Sequence, residues 1–391
     1  MASTEVGDHA VELIVHDASA LEDDVAAAVV VSDEITPLLN QGEKPKINIF
    51  TVSYPRRKPR EQVIRLHEAE SSPVTQFIFW VWSGSRYSGL LCMGISSIMY
   101  FVMEVLSDVF SAQSIPLFET AFTRCILIMI LSYFWLRKSG HSILGQTHVR
   151  KLLISRAIMG YLSLMSYVYC IQRLPLSQAI VLSFTTPIMA SIAARIILHE
   201  KLKIADIGGL ACSFFGVLFI FRQLLTTKGA LVKAGETSNI YLRGSHHLYL
   251  VLVGLFSSIT GGVSYCLIRA GAKASDQPVV TVFSFGILAG PAAGICTFAF
   301  EDFVLPDLYT FLLMLVLGVL AFLAEVFLAR GLQLEKTSKV ANVQYMAAAL
   351  SQLWGIGSSR TAPSFGRLVG CLLILISVSC TMYIGPDKEM E

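Results

Sequence analysis

LPLSQAIVLSFTTPIMASIAARIILHEKLKIADIGGLACSFFGVLFIF, residues 174–221, decides the class of fold. Two apolar runs, about 176–198 and 204–223, flank the short polar turn His199–Glu200–Lys201. Each run is close to the roughly 20 residues an α-helix needs to cross a bilayer. A charged turn between two such runs reads as a helix that crosses, turns at the surface and crosses back. Working outward, runs of the same length recur at about 88–110, 117–136, 153–172, 246–269, 278–300, 308–329, 338–357 and 365–385. The sequence therefore predicts an all-α integral membrane protein of ten transmembrane helices.

Composition agrees. Of the 391 residues 54% are hydrophobic and 15% charged, against roughly 25% charged in an ordinary soluble protein. So few charges cannot cover a water-facing surface. The eight cysteines fall in or beside apolar runs, and none forms a Cys-x-x-Cys pair. They read as small packing residues, with neither a disulfide framework nor a metal site expected. No cofactor is expected. His-Glu-x-x-His, phosphate-loop and Gly-x-Ser-x-Gly patterns do not occur, so the chain does not read as an enzyme, and nothing suggests a nucleic-acid partner.

Residues 1–87 are read as a disordered cytosolic tail, rich in Asp, Glu, Ser, Pro, Lys and Arg up to about residue 75. No cleavable signal peptide is expected, because the first span follows this polar stretch. Within DEITPLL, Glu34, Leu38 and Leu39 resemble an acidic dileucine sorting signal. That element points to an endosomal or vacuolar/lysosomal membrane, with the plasma membrane and Golgi left open. Arg56, Arg57, Lys58 and Arg60 could face anionic headgroups or stay solvated. Lys and Arg gather in alternate loops, as Arg137, Lys138, Arg150 and Lys151, Lys201 and Lys203, Lys273, and Lys336 and Lys339. Both termini are thus expected in the cytosol. Lys228, Lys233 and Arg243, in the longest loop, run against this trend.

An internal offset of about 161 residues aligns CIQRLPLSQAIVLSFTTP (170–187) with GLQLEKTSKVANVQYMAA (331–348), pairing Gln172 with Gln333, Ser177 with Ser338 and, further on, Gly209 with Gly370. Five spans per copy is an odd number, so the second copy must enter the membrane from the other side. This predicts two inverted five-helix repeats, 88–223 and 246–385, joined by a loop at 224–245 and followed by a short cytosolic tail at 386–391. Inverted repeats recur in secondary transporters, where the halves rock about a central site.

Further stretches share one order and spacing: FETAFTRC (118–125), LRKSG (136–140), LISRAIMGYLSLMSY (153–167), ADIGGLACSFFGVLFIF (205–221) and ARGLQLEKTSKVANVQY (329–345). Together with 174–202 they resemble the drug/metabolite transporter superfamily in its EamA-type branch, similar to the G subfamily of solute carrier family 35. The likeness covers about 88–385 and implies two inverted repeats around a solute cavity. The sequence departs from the pattern where Arg360 and Thr361 stand in place of His199 and Glu200, and no counterpart of Arg124 appears in span seven.

Polar residues inside the spans are the candidates for chemistry, since a charge there is costly unless it meets a cavity or a partner. Glu104 and Asp108 share a face of span one; Asp108 reads as hydrated, while Glu104 could bind substrate. Arg124 could clamp an anion or pair with Glu104. Arg156, at the start of span three, is expected to snorkel to the interface. Glu325 is a candidate proton-coupling carboxylate, because burial favours the neutral acid; a fixed ion pair with an arginine competes with that reading. Pro187 breaks span four and frees the Ser183 carbonyl, beside Thr185 and Thr186. The offset sets Asn342, Gln344 and Tyr345 at the matching depth of span nine, as a second polar patch or as ordinary interhelical bonding. Tyr161 and Tyr167 could line the same cavity. Gly286, Gly290 and Gly294 allow close helix packing, within a protomer or in a homodimer. The expected function is gradient-driven or exchange transport of a small organic solute, coupled to a proton or counter-solute. The alternative is a non-transporting membrane scaffold acting through protein partners.

Overall fold

The computed structural model describes residues 80–84, 87–110, 116–140, 145, 147–174, 176–232, 240–300, 306–358 and 364–385. The sorting element Glu34, Leu38 and Leu39, the basic cluster at 56–60, Pro175, Lys233, and Arg360 and Thr361 lie outside the described residues. So do the side chains of Asp108, Ser177, Lys228 and Arg243. Among the described residues there are eleven helices and no strand. They are α1 Ser88–Phe110, α2 Leu117–Lys138, α3 Arg150–Arg173, α4 Leu176–Ser183, α5 Thr186–Ile197, α6 Ile204–Val232, α7 Ile240–Ser275, α8 Pro278–Phe300, α9 Leu308–Leu334, α10 Thr337–Gly357 and α11 Phe365–Ile384.

Nine spans among the described residues are long and apolar enough to cross a membrane, the interrupted pair α4–α5 counting as one. The protein is an all-α integral membrane protein. The one expected span left over, the ninth, corresponds to α10, which carries Lys339, Asn342, Gln344 and Gln352. Its Val340, Ala341, Val343, Tyr345 and Ala349 are buried. Neighbouring helices surround it, so its composition answers to protein contacts more than to lipid. The outward surface is apolar instead, with Ile196, Phe298, Leu312 and Tyr383 exposed. Hydroxyls turn inward and bond to helix carbonyls, as Ser132 to Ile128 (2.5 Å) and Ser96 to Ala324 (2.8 Å) do. A lipid-embedded bundle must satisfy its polar groups internally in this way.

Proline decides the break between α4 and α5. Pro187 lies in the first turn of α5, where its missing N–H costs nothing. The turn at Phe184 and Thr185 is stitched to the other half of the chain. The Ser258 hydroxyl donates to the Leu182 carbonyl (2.6 Å), and the Tyr345 hydroxyl to the Phe184 carbonyl (2.7 Å). Phe184 and Tyr345 also stack, ring centroids 5.9 Å apart.

Phe184 and Tyr345 are 161 residues apart, and so are Cys212 and Leu373, whose thiol and carbonyl meet at 3.7 Å. Residues aligned by the sequence offset therefore touch one another. Glycine allows close backbone approach between α6 and α11. A Cβ on Gly370 would collide with the Gly216 carbonyl, and one on Gly216 would lie 2.7 Å from the Gly370 carbonyl. The glycine row of α8 faces α2 of the same chain: a Cβ at Gly286 would stand 2.8 Å from the Met129 Cα, and one at Gly294 2.9 Å from Phe122.

Three helices outrun the sequence expectation. Spans five, six and eight were expected at 204–223, 246–269 and 308–329, yet α6 continues to Val232, α7 runs from Ile240 to Ser275 and α9 continues to Leu334, so the loop expected at 224–245 is helical at both ends. Arg269, the expected end of span six, is buried in an ion pair with Glu200. Glu200, in the polar turn between α5 and α6, reaches across to accept from the Thr337 N–H (3.1 Å) at the start of α10. His199, in the left-handed region with φ 52°, turns the chain back at this point. Arg269 also donates to the carbonyls of Leu332 (2.7 Å) and Glu335. The ends of α5, α7 and α9 and the start of α10 are thereby tied together.

Candidate functional site: a cavity with two arginines and one carboxylate

A cavity of about 320 Å³ lies between the helices, lined from α1 by Tyr100, from α2 by Arg124, from α3 by Arg156, Gly160 and Tyr167, and from α4 and α5 by Ser183 and Thr186. Ser257, Ser264 and Tyr265 of α7, Phe285 of α8, Glu325 of α9 and Gln344 of α10 complete its polar and aromatic wall. The volume is at the small end of the ~300–1,000 Å³ typical of small-molecule sites.

Glu325 is the hub. One carboxylate oxygen accepts from Arg156 Nη2 at 3.2 Å, the other from the Tyr100 hydroxyl at 3.1 Å. Arg124 Nη2 stands 4.0 Å from the same carboxylate, a looser contact. Arg156 is 3% exposed, Glu325 13% and Arg124 31%. The Arg156 guanidinium stacks on the Phe285 ring at 4.7 Å, and its buried Nε has no hydrogen-bond partner among the described residues. Gly160 makes room for it, because any Cβ there would collide with Arg156 Nη1. Two arginines against one carboxylate leave one positive charge on the wall. Hydroxyls and amides add directional bonding: the Tyr265 hydroxyl donates to Gln344 Oε1 (2.7 Å), and Ser163 and Ser257 each donate to the other's carbonyl (2.9 and 2.8 Å).

Of the residues singled out in the sequence, Arg124, Tyr167, Ser183, Thr186, Glu325 and Gln344 come together on this wall. Arg156, expected at the interface, joins them, and the remaining candidates lie elsewhere. Glu104 is exposed and accepts from Ser351 (3.0 Å). Tyr161 meets the Cys296 thiol at 3.2 Å. Thr185 donates to the Leu182 carbonyl within its own turn. Asn342 is buried in a network with Ser213 (2.7 Å), Ser377 (3.0 Å) and Thr381 (2.7 Å). Tyr345 serves the helix break already described.

Arg156 corrects the sequence reading outright. It does not snorkel but turns inward, because Glu325, 169 residues away in sequence, supplies a countercharge that an interfacial position would lack. The available signal was the i, i+4 pair Arg156 and Gly160, which places a cation and an empty space on one helix face. Tyr100 and Tyr265 were also missed, since a tyrosine in an apolar run is as common in packing as in a site.

Membrane-spanning helices enclosing a charged, hydroxyl-rich cavity make up the architecture of a membrane transporter. Comparison with known proteins agrees. Residues 87–222 match the EamA-like transporter family. Solute carrier family 35 member G1 of Mus musculus is 24% identical over 294 residues, covering 74% of this chain and 77% of its own length. A pseudopaline exporter, CntI, of Pseudomonas aeruginosa is 27% identical over 292 residues, covering 74% of this chain and 94% of its own. A protein of known crystal structure shares the fold at a TM-score of 0.62 and 16% identity, covering 77% of this chain and 99% of that one. The chain resembles the drug/metabolite transporter superfamily of EamA type, and members of solute carrier family 35 within it. Together these findings support a membrane transporter of small solutes.

Proposed function

We propose that the chain moves a small organic solute across its membrane by alternating access, with the Glu325 cavity as the solute site. One observation carries this: a carboxylate and two arginines converge, inside apolar helices, on a cavity of metabolite size. Charges so placed are costly in a bundle built only for packing. Two five-helix halves, 88–223 and 246–385, rock about the cavity. Contacts between residues 161 apart, Phe184 with Tyr345 and Cys212 with Leu373, support that symmetry. Both termini face the cytosol, as the Lys and Arg of the alternate loops suggest. The Glu200–Arg269 ion pair is then the contact that closes the cytosolic side. Glu325 acts as the counter-ion of Arg156, and energy comes from a solute gradient or from exchange.

The test is uptake of a mixed metabolite pool into proteoliposomes at two pH gradients, with wild type beside Arg124→Ala and Glu325→Gln. Accumulation of a compound by wild type, lost in either folded variant, upholds the reading and its site. A wild type that moves nothing under any gradient overturns it in favour of a scaffold acting through protein partners.

A further inference from the structure

We infer that the transported solute bears a carboxylate and is held as a monoanion between Arg156 and Arg124. The inference rests on the transporter reading above and names the substrate class of the same cavity.

The Arg156 guanidinium has an unmet demand for acceptors. Arg156 is 3% exposed, yet Glu325 engages it through a single nitrogen at 3.2 Å and its buried Nε has no acceptor among the described residues. A buried guanidinium N–H without a partner is unfavourable, and a guanidinium presents its donors as a planar fork. The acceptor that matches such a fork is planar and has two oxygens, which is a carboxylate. Arg124 faces the same space from α2, one third exposed and 4.0 Å from Glu325, close enough to feel the charge and loose enough to take another partner.

Charge counting sets the class more narrowly. The wall carries two arginines and one carboxylate, so one carboxylate on the solute brings the cavity to neutrality. A phosphate monoester carries about −1.5 to −2 at pH 7 and overshoots that balance. A neutral solute leaves the positive charge unmatched in a low-dielectric bundle. The rest of the wall suits the body of such an acid. Phe285, Tyr167 and Tyr265 line it with aromatic rings, and Gln344, whose oxygen accepts from Tyr265, carries amide N–H donors for a second oxygen on the solute.

The experiment has two arms on the full chain. In the first, wild-type proteoliposomes receive a metabolite pool spiked with matched pairs: lactate with lactamide, benzoate with benzamide, phenylacetate with phenylacetamide, and phenylphosphate beside them. Accumulated compounds are identified by mass spectrometry against protein-free vesicles. The expected result is that the accumulated compounds carry one carboxylate and exceed matched amides and phenylphosphate by about tenfold or more, as loss of a charge-assisted hydrogen bond requires. Accumulation of neutral or cationic compounds overturns the carboxylate proposal and leaves the transporter reading intact. No accumulation at all overturns the transporter reading. The second arm then still tests the pocket by binding: the same probes are scored for thermal stabilisation of the purified protein. Carboxylates stabilise wild type, and the effect is lost in Arg124→Gln and in the Arg156→Gln/Glu325→Gln double variant, which removes the clamp without leaving a lone buried charge. Equal stabilisation by acid and amide, or carboxylate binding that survives both variants, refutes the assignment.

Discussion

Replacing Glu200 with alanine removes one partner of a buried ion pair, and its effect can be worked from the contacts. Arg269 and Glu200 are both nearly buried, and Glu200 also accepts from the Thr337 N–H. Breaking such a pair from one side costs about 3–5 kcal/mol. Arg269 keeps the carbonyls of Leu332 and Glu335 as acceptors, so the lower end applies, about 3 kcal/mol. If the halves alternate as proposed and the pair holds only while this side is closed, its loss shifts the equilibrium toward the open state. At 1.36 kcal/mol per factor of ten, the shift is roughly 100-fold. Cys266 reports it: the thiol is fully buried, bonded to the Ala190 carbonyl at 3.5 Å, and lies one turn from Arg269. Alkylation of Cys266, followed by mass spectrometry on protein in nanodiscs, is expected to quicken by up to two orders of magnitude in Glu200→Ala. Glu200→Gln, which keeps an oxygen for Thr337, is expected to fall between. Cys371, buried beside Ala349 in another part of the bundle, separates opening from global unfolding, because it stays protected in the first and reacts in the second. Cys266 rates within about twofold of wild type would show that the pair closes nothing, and the estimate of ~3 kcal/mol would fall with it.

Gly160→Ala places a methyl group against Arg156 Nη1 and pushes the guanidinium off Glu325; solute uptake is expected to fall about tenfold or more, with helix content by circular dichroism unchanged. Asn342→Ala removes the centre of the Ser213, Ser377 and Thr381 network. It is expected to cost about 1–3 kcal/mol of stability through unsatisfied partners while KM for the solute stays near wild type, read by thermal unfolding beside uptake kinetics. Gly370→Val drives a side chain into the Gly216 carbonyl. A backbone cannot yield as a side chain does, so a loss beyond the usual ~1–3 kcal/mol of overpacking is expected, seen as lower yield of monodisperse protein.

The membrane spans were legible because lipid imposes one demand everywhere, about 20 apolar residues per helix. That demand lapses where protein replaces lipid, and there the reading weakened. α10 is the least lipid-like of the long helices because its neighbours bury Tyr345, Val343 and Ala349. Arg269 and Arg330 looked like the ends of spans, but Arg269 has Glu200 and Arg330 has the Trp82 carbonyl (2.6 Å) and Gln333 (2.7 Å) to hold them inside. Glu325 and Arg124 stood out in the sequence because each interrupts an apolar run well away from its ends. Arg156 did not, since a cation near a helix start has an ordinary explanation, and only the folded chain reveals its distant countercharge.

The symmetric pairing of polar patches, Ser183–Thr185–Thr186 with Asn342–Gln344–Tyr345, shows where pattern and geometry part. The offset was expected to set both patches on one site. Yet Phe184 and Tyr345, 161 residues apart, stack on each other. Two residues equated by a two-fold operation can touch only where its axis passes between them. Side chains on the axis face their counterparts, and those displaced from it face the space between the halves. Tyr345 therefore closes the helix break, while Ser183, Thr186 and Gln344 reach the cavity. The two arginines and Glu325 come from α2, α3 and α9, and only Glu325 lies in the second half. On the proposed alternating-access reading, the charge asymmetry of the cavity wall thus lies off the axis, where the repeats are free to differ without disturbing the Phe184–Tyr345 contact.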